Sequence, residues 1–152
     1  MKKLSICLFV FLFFSCATGY QPSGFKGGFE ETQLDDNVFK ITFKGNTYTS
    51  KEKANDFNLL RCSEVTLQNN FKYFIIKETY DFSKETTQYV MQKNNNYNSY
   101  NKNATYTANE KTRTRPRIAN TIECYKEKPK SENTVYNAEM IQKNLKKKYN
   151  IQ

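Results

Sequence analysis

Four stretches of the chain carry the residue pattern of β-strands. Phe39–Lys44 and Arg117–Lys126 alternate between hydrophobic and polar residues, which is typical of strands with one buried face. Phe71–Ile76 is hydrophobic on both faces, which predicts a central strand. Thr86–Met91 is rich in β-branched and aromatic residues and predicts the fourth strand.

Two further stretches predict helices. The first spans about Ser50–Gln68, follows a capping-box pattern formed by Thr49 and Glu52, and ends at Asn69-Asn70. Its hydrophobic residues cover a wide arc, so we expect neighbours on more than one side. The second follows an N-cap at Asn137 and carries one hydrophobic stripe: Ala138, Ile141, Leu145 and Tyr149. The order of elements predicts an α+β fold, an antiparallel sheet of about four strands packed with two helices.

The N-terminus has the layout of a bacterial lipoprotein signal. Met1-Lys2-Lys3 is followed by the almost wholly hydrophobic run Leu4–Phe14, then by Ser15 and Cys16. This run is too short for a membrane-spanning helix and fits the hydrophobic region of a signal peptide. We therefore predict a signal peptide over residues 1–15, cleavage before Cys16, and lipidation of its sulfur. The alternatives are an uncleaved anchor, or a plain secretory signal in which the cysteine is incidental.

The predicted division of the chain follows from that cleavage. Residues 16–34 contain most of the glycines and are expected to form a lipid-anchored tether, and residues 35–152 a single α+β domain. An asparagine-rich insertion near residues 93–112 is expected to be disordered or an extended hairpin. Removing residues 1–15, which hold two lysines and no acids, lowers the net charge from +9 to +7.

Several motifs resemble an uncharacterised family of small bacterial outer-membrane lipoproteins. They are the Gly-Tyr-x-Pro-x-Gly-x-x-Gly-Gly start at Gly19–Gly28, the stretch Phe39–Ser50, and the helix segment Leu59–Leu67. Cys62 and Ser63 stand where the family usually has two alanines in an Arg-Ala-Ala-Glu-like sequence. The resemblance implies an exported lipoprotein and supplies no substrate.

Two cysteines and one charged pair are the remaining candidates for a site. Cys62 and Cys124 are either two buried thiols or one disulfide, since export would place them in an oxidising compartment. With no histidine and two distant cysteines, we predict no metal site, and no cofactor is indicated. Arg61 and Glu64 lie three residues apart on the first helix, where they would pair on its surface or, if the helix is covered, as a structural ion pair.

No catalytic constellation is visible, so we do not expect an enzyme. The main hypothesis is a lipid-anchored cell-envelope protein with a non-enzymatic binding or assembly domain. Ala17 after the cysteine favours a location at the periplasmic face of the outer membrane. The acyl chains on Cys16 would anchor the protein in that membrane. Basic residues crowd the C-terminal half, among them Arg113, Arg115 and Arg117. They are either solubilising surface charge or a site for anionic envelope polymers or lipid headgroups; export removes nucleic acid as a partner.

Overall fold

Nine secondary-structure elements make up the part of the chain that the structure, a computed structural model, describes: residues 17–93 and 106–152. The predicted signal peptide and Cys16 lie outside these residues. The elements are β1 (Gly28–Asp35), β2 (Val38–Lys44), α1 (Lys51–Gln68), β3 (Tyr73–Asp81), β4 (Lys84–Lys93), β5 (Tyr106–Arg115), β6 (Arg117–Tyr125), β7 (Val135–Asn137) and α2 (Ala138–Tyr149).

The strands form two antiparallel sheets. Five strands make one sheet in the order β1-β2-β6-β3-β7, and β4 pairs with β5 in a separate two-stranded sheet. The α+β prediction is confirmed. The prediction of about four strands is wrong, because the described residues contain seven. The three strands that were missed, β1, β5 and β7, are half-buried or exposed and therefore lack the alternating hydrophobic pattern.

The predicted tether is instead part of the domain. Residues 28–35 form β1, which pairs with β2, and the preceding residues fold back on the start of this strand. Gly27 and Gly28 have φ angles of 93° and 128°. A Cβ atom on Gly27 would lie 2.3 Å from the Lys44 carbonyl oxygen, so this close approach requires glycine. The prediction that the domain begins at residue 35 is therefore wrong, since it includes the described residues from 17 onward.

The two-stranded sheet, which we call the arm, occupies the place of the predicted asparagine-rich insertion. Asp81 lies opposite Ile118 and Lys84 lies opposite Arg115, so the arm continues β3 and β6 without a shift of register. The described side chains of β4 are all exposed, and those of β5 nearly all. Residues 94–105, at the centre of the predicted insertion, lie outside the described residues.

α1 packs on one face of the five-stranded sheet, and α2 packs chiefly against α1. The core has two clusters of buried hydrophobic side chains: Phe39, Ile41, Cys62, Val65, Phe74, Ile122, Cys124 and Ala138 in one, and Phe43, Ala54, Phe57 and Ile118 in the other. The chain before β1 covers α1 further, since the Tyr20 ring packs edge-to-face against Phe57 with ring centroids 5.4 Å apart. The expectation that α1 has neighbours on more than one side is thus confirmed.

The ends of the helices follow local capping chemistry. Ser50, not Thr49, is the N-cap of α1, and its side chain accepts a hydrogen bond from the amide of Lys53. The predicted capping box is wrong, because Thr49 is buried and bonds instead to the N-terminal segment. Asn137 caps α2 as predicted. Neither helix in the described part of the chain has the length and hydrophobicity that a bilayer span requires.

Asn58 joins α1 to the sheet through polar contacts inside the core. It is fully buried, and its side-chain amide donates to the Ile41 carbonyl at 2.9 Å and to the Ile118 carbonyl at 3.1 Å. These two acceptors lie on the neighbouring strands β2 and β6. One side chain therefore fixes the height of α1 over both strands.

Asn58→Ala should lower the free energy of unfolding by about 2–3 kcal/mol, because two buried carbonyl groups lose their donor and a small cavity opens. Urea unfolding measures the change. Asn55→Ala is the matched control; Asn55 is exposed on the same helix, and its removal should cost less than about 0.5 kcal/mol. Equal losses in the two variants would contradict the role given to Asn58.

Candidate functional site

The arm presents a strongly basic face to solvent. Lys84 lies opposite Arg115, Thr86 opposite Arg113, and Gln88 opposite Lys111, and residues directly opposite each other share one face of a sheet. We call Lys84, Lys111, Arg113 and Arg115 the basic face. All four side chains are exposed, and no ion pair is formed by any of them with the described residues. Their charge is therefore free to act on a partner.

The opposite side of the arm has a different composition. Glu85 lies opposite Thr114, Thr87 opposite Thr112, and Tyr89 opposite Glu110. The hydroxyl groups of Thr87 and Thr112 lie 3.3 Å apart. We call this side the threonine face. The two acids of β4 and β5, Glu85 and Glu110, lie on it, and Lys93 occupies a position of the same side. The basic face therefore carries no acid, whereas the threonine face has mixed charge.

Two exposed aromatic rings lie where the arm leaves the main sheet. Tyr80 and Phe82 stack with ring centroids 5.8 Å apart and stand at alternate positions that lead to Lys84. The Arg117 guanidinium lies 5.8 Å from the centre of the Phe82 ring. These rings are 43% and 49% exposed, so they extend the basic face with flat apolar surface.

Two basic residues of α2 are engaged in ion pairs, whereas other exposed lysines lie in the loop before β7 and on α2: Lys126, Lys128, Lys130, Lys143 and Lys147. On α2, Lys148 contacts Glu52 at 2.8 Å and Asp56 at 2.7 Å. Its hydrogen bond to Asp56, and then that to Glu52, raise the pKa of the lysine above its usual range. Lys146 lies 3.8 Å from Glu64. The arm differs from these regions because its four basic residues share one face of a paired ribbon.

The predicted pair Arg61–Glu64 forms and belongs to a larger cluster. Arg61 contacts Glu64 at 3.0 Å and Glu31 of β1 at 2.7 Å, and its guanidinium lies 4.5 Å from the centre of the Phe29 ring. The Tyr20 hydroxyl donates to the same oxygen of the Glu64 carboxylate that accepts from Arg61. Burial, and then the hydrogen bond to Glu64, raise the pKa of Tyr20, so the phenol stays protonated and remains a donor.

This cluster holds segments of the fold together. The side chains of Arg61 and Glu64 are 13% and 12% exposed, and every carboxylate in it has a basic or hydroxyl partner. The saturated geometry leaves no group of the cluster poised for proton transfer to a ligand. We assign it a structural role.

Cys62 and Cys124 are buried free thiols on α1 and β6. The Thr66 hydroxyl lies 3.4 Å from the Cys124 sulfur and donates to the Cys62 carbonyl at 2.8 Å, so one side chain contacts both cysteine residues. Burial raises the pKa of Cys124 to about 11 and raises that of Cys62 further. Of the two arrangements expected from sequence, the structure contains the buried thiols. Within residues 17–93 and 106–152, no group of three potential metal-ligating side chains is present.

Arg61→Ala should lower the free energy of unfolding by about 2–3 kcal/mol, because it takes a charged partner from the largely buried Glu64 carboxylate and also removes the salt bridge to the exposed Glu31. Chemical denaturation gives the value. Arg117→Ala is the control, since that arginine is 49% exposed and lies 4.0 Å from Glu30, and it should cost less than about 1 kcal/mol. A loss for Arg61→Ala no larger than for the control would show that the cluster contributes no net stability.

Cys62 and Cys124 should react slowly with a thiol reagent in the folded protein, because both are buried and both remain protonated at about pH 8. In a sample in which Cys62 and Cys124 are the only thiols, unfolding without reductant should expose both to the reagent. Ser131→Cys, at an exposed position, supplies a rapidly reacting control. Failure to detect two thiols after unfolding would mean that the cysteines are bonded to each other, contrary to the structure.

Comparisons with known proteins place this chain in no family. A scan against models of protein families found no match, and searches of curated proteins and of solved structures found none either. The resemblance to small outer-membrane lipoproteins therefore stays a prediction, and the function has to be argued from the residues of the site.

Proposed function

We propose that the chain is a lipid-anchored protein of the cell envelope that binds an anionic envelope polymer through the basic face of its arm. The observation that carries this proposal is the composition of the basic face, where four exposed cations have no counter-ion among the described residues and no acid of β4 or β5 shares their side. The N-terminal pattern that ends in Cys16 supports the location. In this role the domain is a binding module and not an enzyme.

The dimensions of the basic face suit a charged chain. Lys111, Arg113 and Arg115 occupy alternate positions of β5 and so span ~14 Å at about 3.4 Å per residue, with Lys84 about 5 Å away on the neighbouring strand. Arginine can donate two parallel hydrogen bonds to a phosphate or carboxylate group. A polymer with phosphate or carboxylate groups could therefore contact several cations at once along the strand.

The arm lies outside the hydrophobic core, and this also favours a binding role for it. An element whose side chains are exposed on both faces gains little stability from burial, so its sequence is not constrained by packing. The stacked rings of Tyr80 and Phe82 add apolar surface at one end of the basic face. Flat rings beside cations are suited to the sugar units of a charged polysaccharide.

Replacing Lys111, Arg113 and Arg115 together by glutamine should weaken binding to purified lipopolysaccharide by ~100-fold at low salt, if each cation near an anionic surface contributes about 1 kcal/mol. Titration calorimetry measures the affinity. The matched control removes three exposed lysines elsewhere, Lys130→Gln, Lys143→Gln and Lys147→Gln, so that the net charge changes equally.

The control should lose less than about threefold, because its three lysines are not residues of the arm and would not contact a polymer bound there. Binding of the parent protein should also fall steeply at about 0.5 M salt, where the screening length is only ~4–5 Å. Equal affinities of the two triple variants would exclude the basic face as the binding surface. Binding that does not respond to salt would contradict a polyanionic ligand.

A further inference from the structure

Thr18 fixes the start of the described chain inside the domain. It is 2% exposed. Its amide donates to the Thr49 hydroxyl at 3.1 Å, its hydroxyl donates to the Lys26 carbonyl at 2.8 Å, and the same hydroxyl accepts from the Asn46 amide at 2.9 Å. One buried residue thus joins the N-terminal segment to two separate loops. Only Ala17 lies between it and the predicted lipidation site at Cys16.

Each of these two loops exposes an aromatic ring. Gly24 and Gly27 exchange amide-to-carbonyl hydrogen bonds of 3.1 and 3.0 Å, which closes a tight turn with Phe25 and Lys26 at its tip. The Phe25 side chain is fully exposed. Tyr48, in the loop between β2 and α1, is 67% exposed. An isolated exposed apolar residue needs no explanation. Here, however, the two loops that carry the exposed rings both bond to Thr18, at the start of the described chain.

We infer that Ala17, Phe25, Lys26 and Tyr48 form a membrane-contact face, on which the domain rests directly against the bilayer. This inference rests on the proposed lipid anchor at Cys16. Two residues of chain reach at most ~7 Å, so acyl chains on Cys16 would hold Thr18 within that distance of the membrane surface. Aromatic rings prefer the interface between headgroups and acyl chains, and a lysine beside them pairs with anionic headgroups.

The consequence is a domain with a fixed orientation. A flexible tether would let the domain turn freely above the bilayer, whereas a buried Thr18 leaves no flexible spacer between the lipid and the fold. The glycines of this segment serve the tight turn and the close approach at Gly27 and Gly28. They do not provide a linker.

The chain contains no tryptophan, so a single introduced tryptophan reports its own surroundings. The test uses the full-length protein, expressed and lipidated in cells, purified, and reconstituted into phosphatidylethanolamine–phosphatidylglycerol vesicles with or without bromine on the lipid chains. The reporters are Phe25→Trp and Tyr48→Trp. The control is Met140→Trp, at an exposed position at the start of α2. Tyr149, at the other end of α2, lines the same groove as Thr18, and Met140 lies ~14 Å from Tyr149 along the helix axis.

Brominated lipid should reduce the fluorescence of Phe25→Trp and Tyr48→Trp to about half or less, because an interfacial ring lies at the boundary with the acyl chains. The fluorescence of Met140→Trp should not change. Intact mass of the same samples shows whether Cys16 carries acyl chains, and unchanged melting shows that the exposed substitutions preserve the fold.

Acylated protein with quenching at both loop positions and none at Met140→Trp would support the membrane-contact face. Acylated protein without quenching at the loop positions, or with equal quenching at all three, would overturn the fixed orientation and leave the anchor intact. A mass without acyl chains would overturn the anchor and, with it, this inference.

Discussion

The burial of the Glu64 carboxylate is the constraint on which the arrangement of the outer segments depends. A carboxylate that is 12% exposed is costly unless charged or hydrogen-bonding groups surround it. Those groups come from elsewhere in the chain: Tyr20 from the N-terminal segment, Arg61 from the same helix, and Lys146 from α2. Arg61 in turn holds β1 through Glu31. Docking of the N-terminal segment, β1 and α2 around α1 therefore satisfies one buried charge.

The inner side of α1 faces a related constraint. Asn58, Cys62 and Thr66 recur every four residues and form a polar stripe against β6. Each is satisfied, by strand carbonyls, by a neighbouring side chain, or by the preceding turn of the helix, so the stripe adds specificity without an unpaired group. A helix that presents both apolar and polar residues to the sheet, and charged residues to its other neighbours, has no single apolar face. This explains why its hydrophobic residues cover a wide arc instead of forming a stripe.

The sequence predicts the elements whose burial leaves a periodic pattern, which are β2, α1, β3, β6 and α2, and it also predicts β4 from its β-branched and aromatic residues. It misses β1 and β7, which are stabilised by pairing at the edges of the sheet, and β5, whose two faces are exposed. β1 opens with one glycine, Gly28, and is largely polar, because it needs only backbone pairing with β2 and one ring over Arg61. In β5 the basic residues alternate with threonines, so the strand has no alternating hydrophobic pattern. The Arg61–Glu64 pair was predictable from helical spacing, but the partners Tyr20 and Glu31 lie 44 and 30 residues away along the chain, where no local rule reaches.

The position of the arm relative to α1 bears on the two partners that the basic residues alone left open. Lys51, at the start of α1, lies 3.6 Å from Asp81 and 3.9 Å from Glu85, so the threonine face turns toward the loop that carries Tyr48. A groove lined by Thr47–Lys51 and Lys111–Thr114 separates the arm from that loop. Lys111 and Arg113, two members of the basic face, are among the residues that line this groove. If Tyr48 rests on the bilayer, part of the basic face lies beside the membrane-contact face, where anionic headgroups and a polymer of the envelope can both reach its cations.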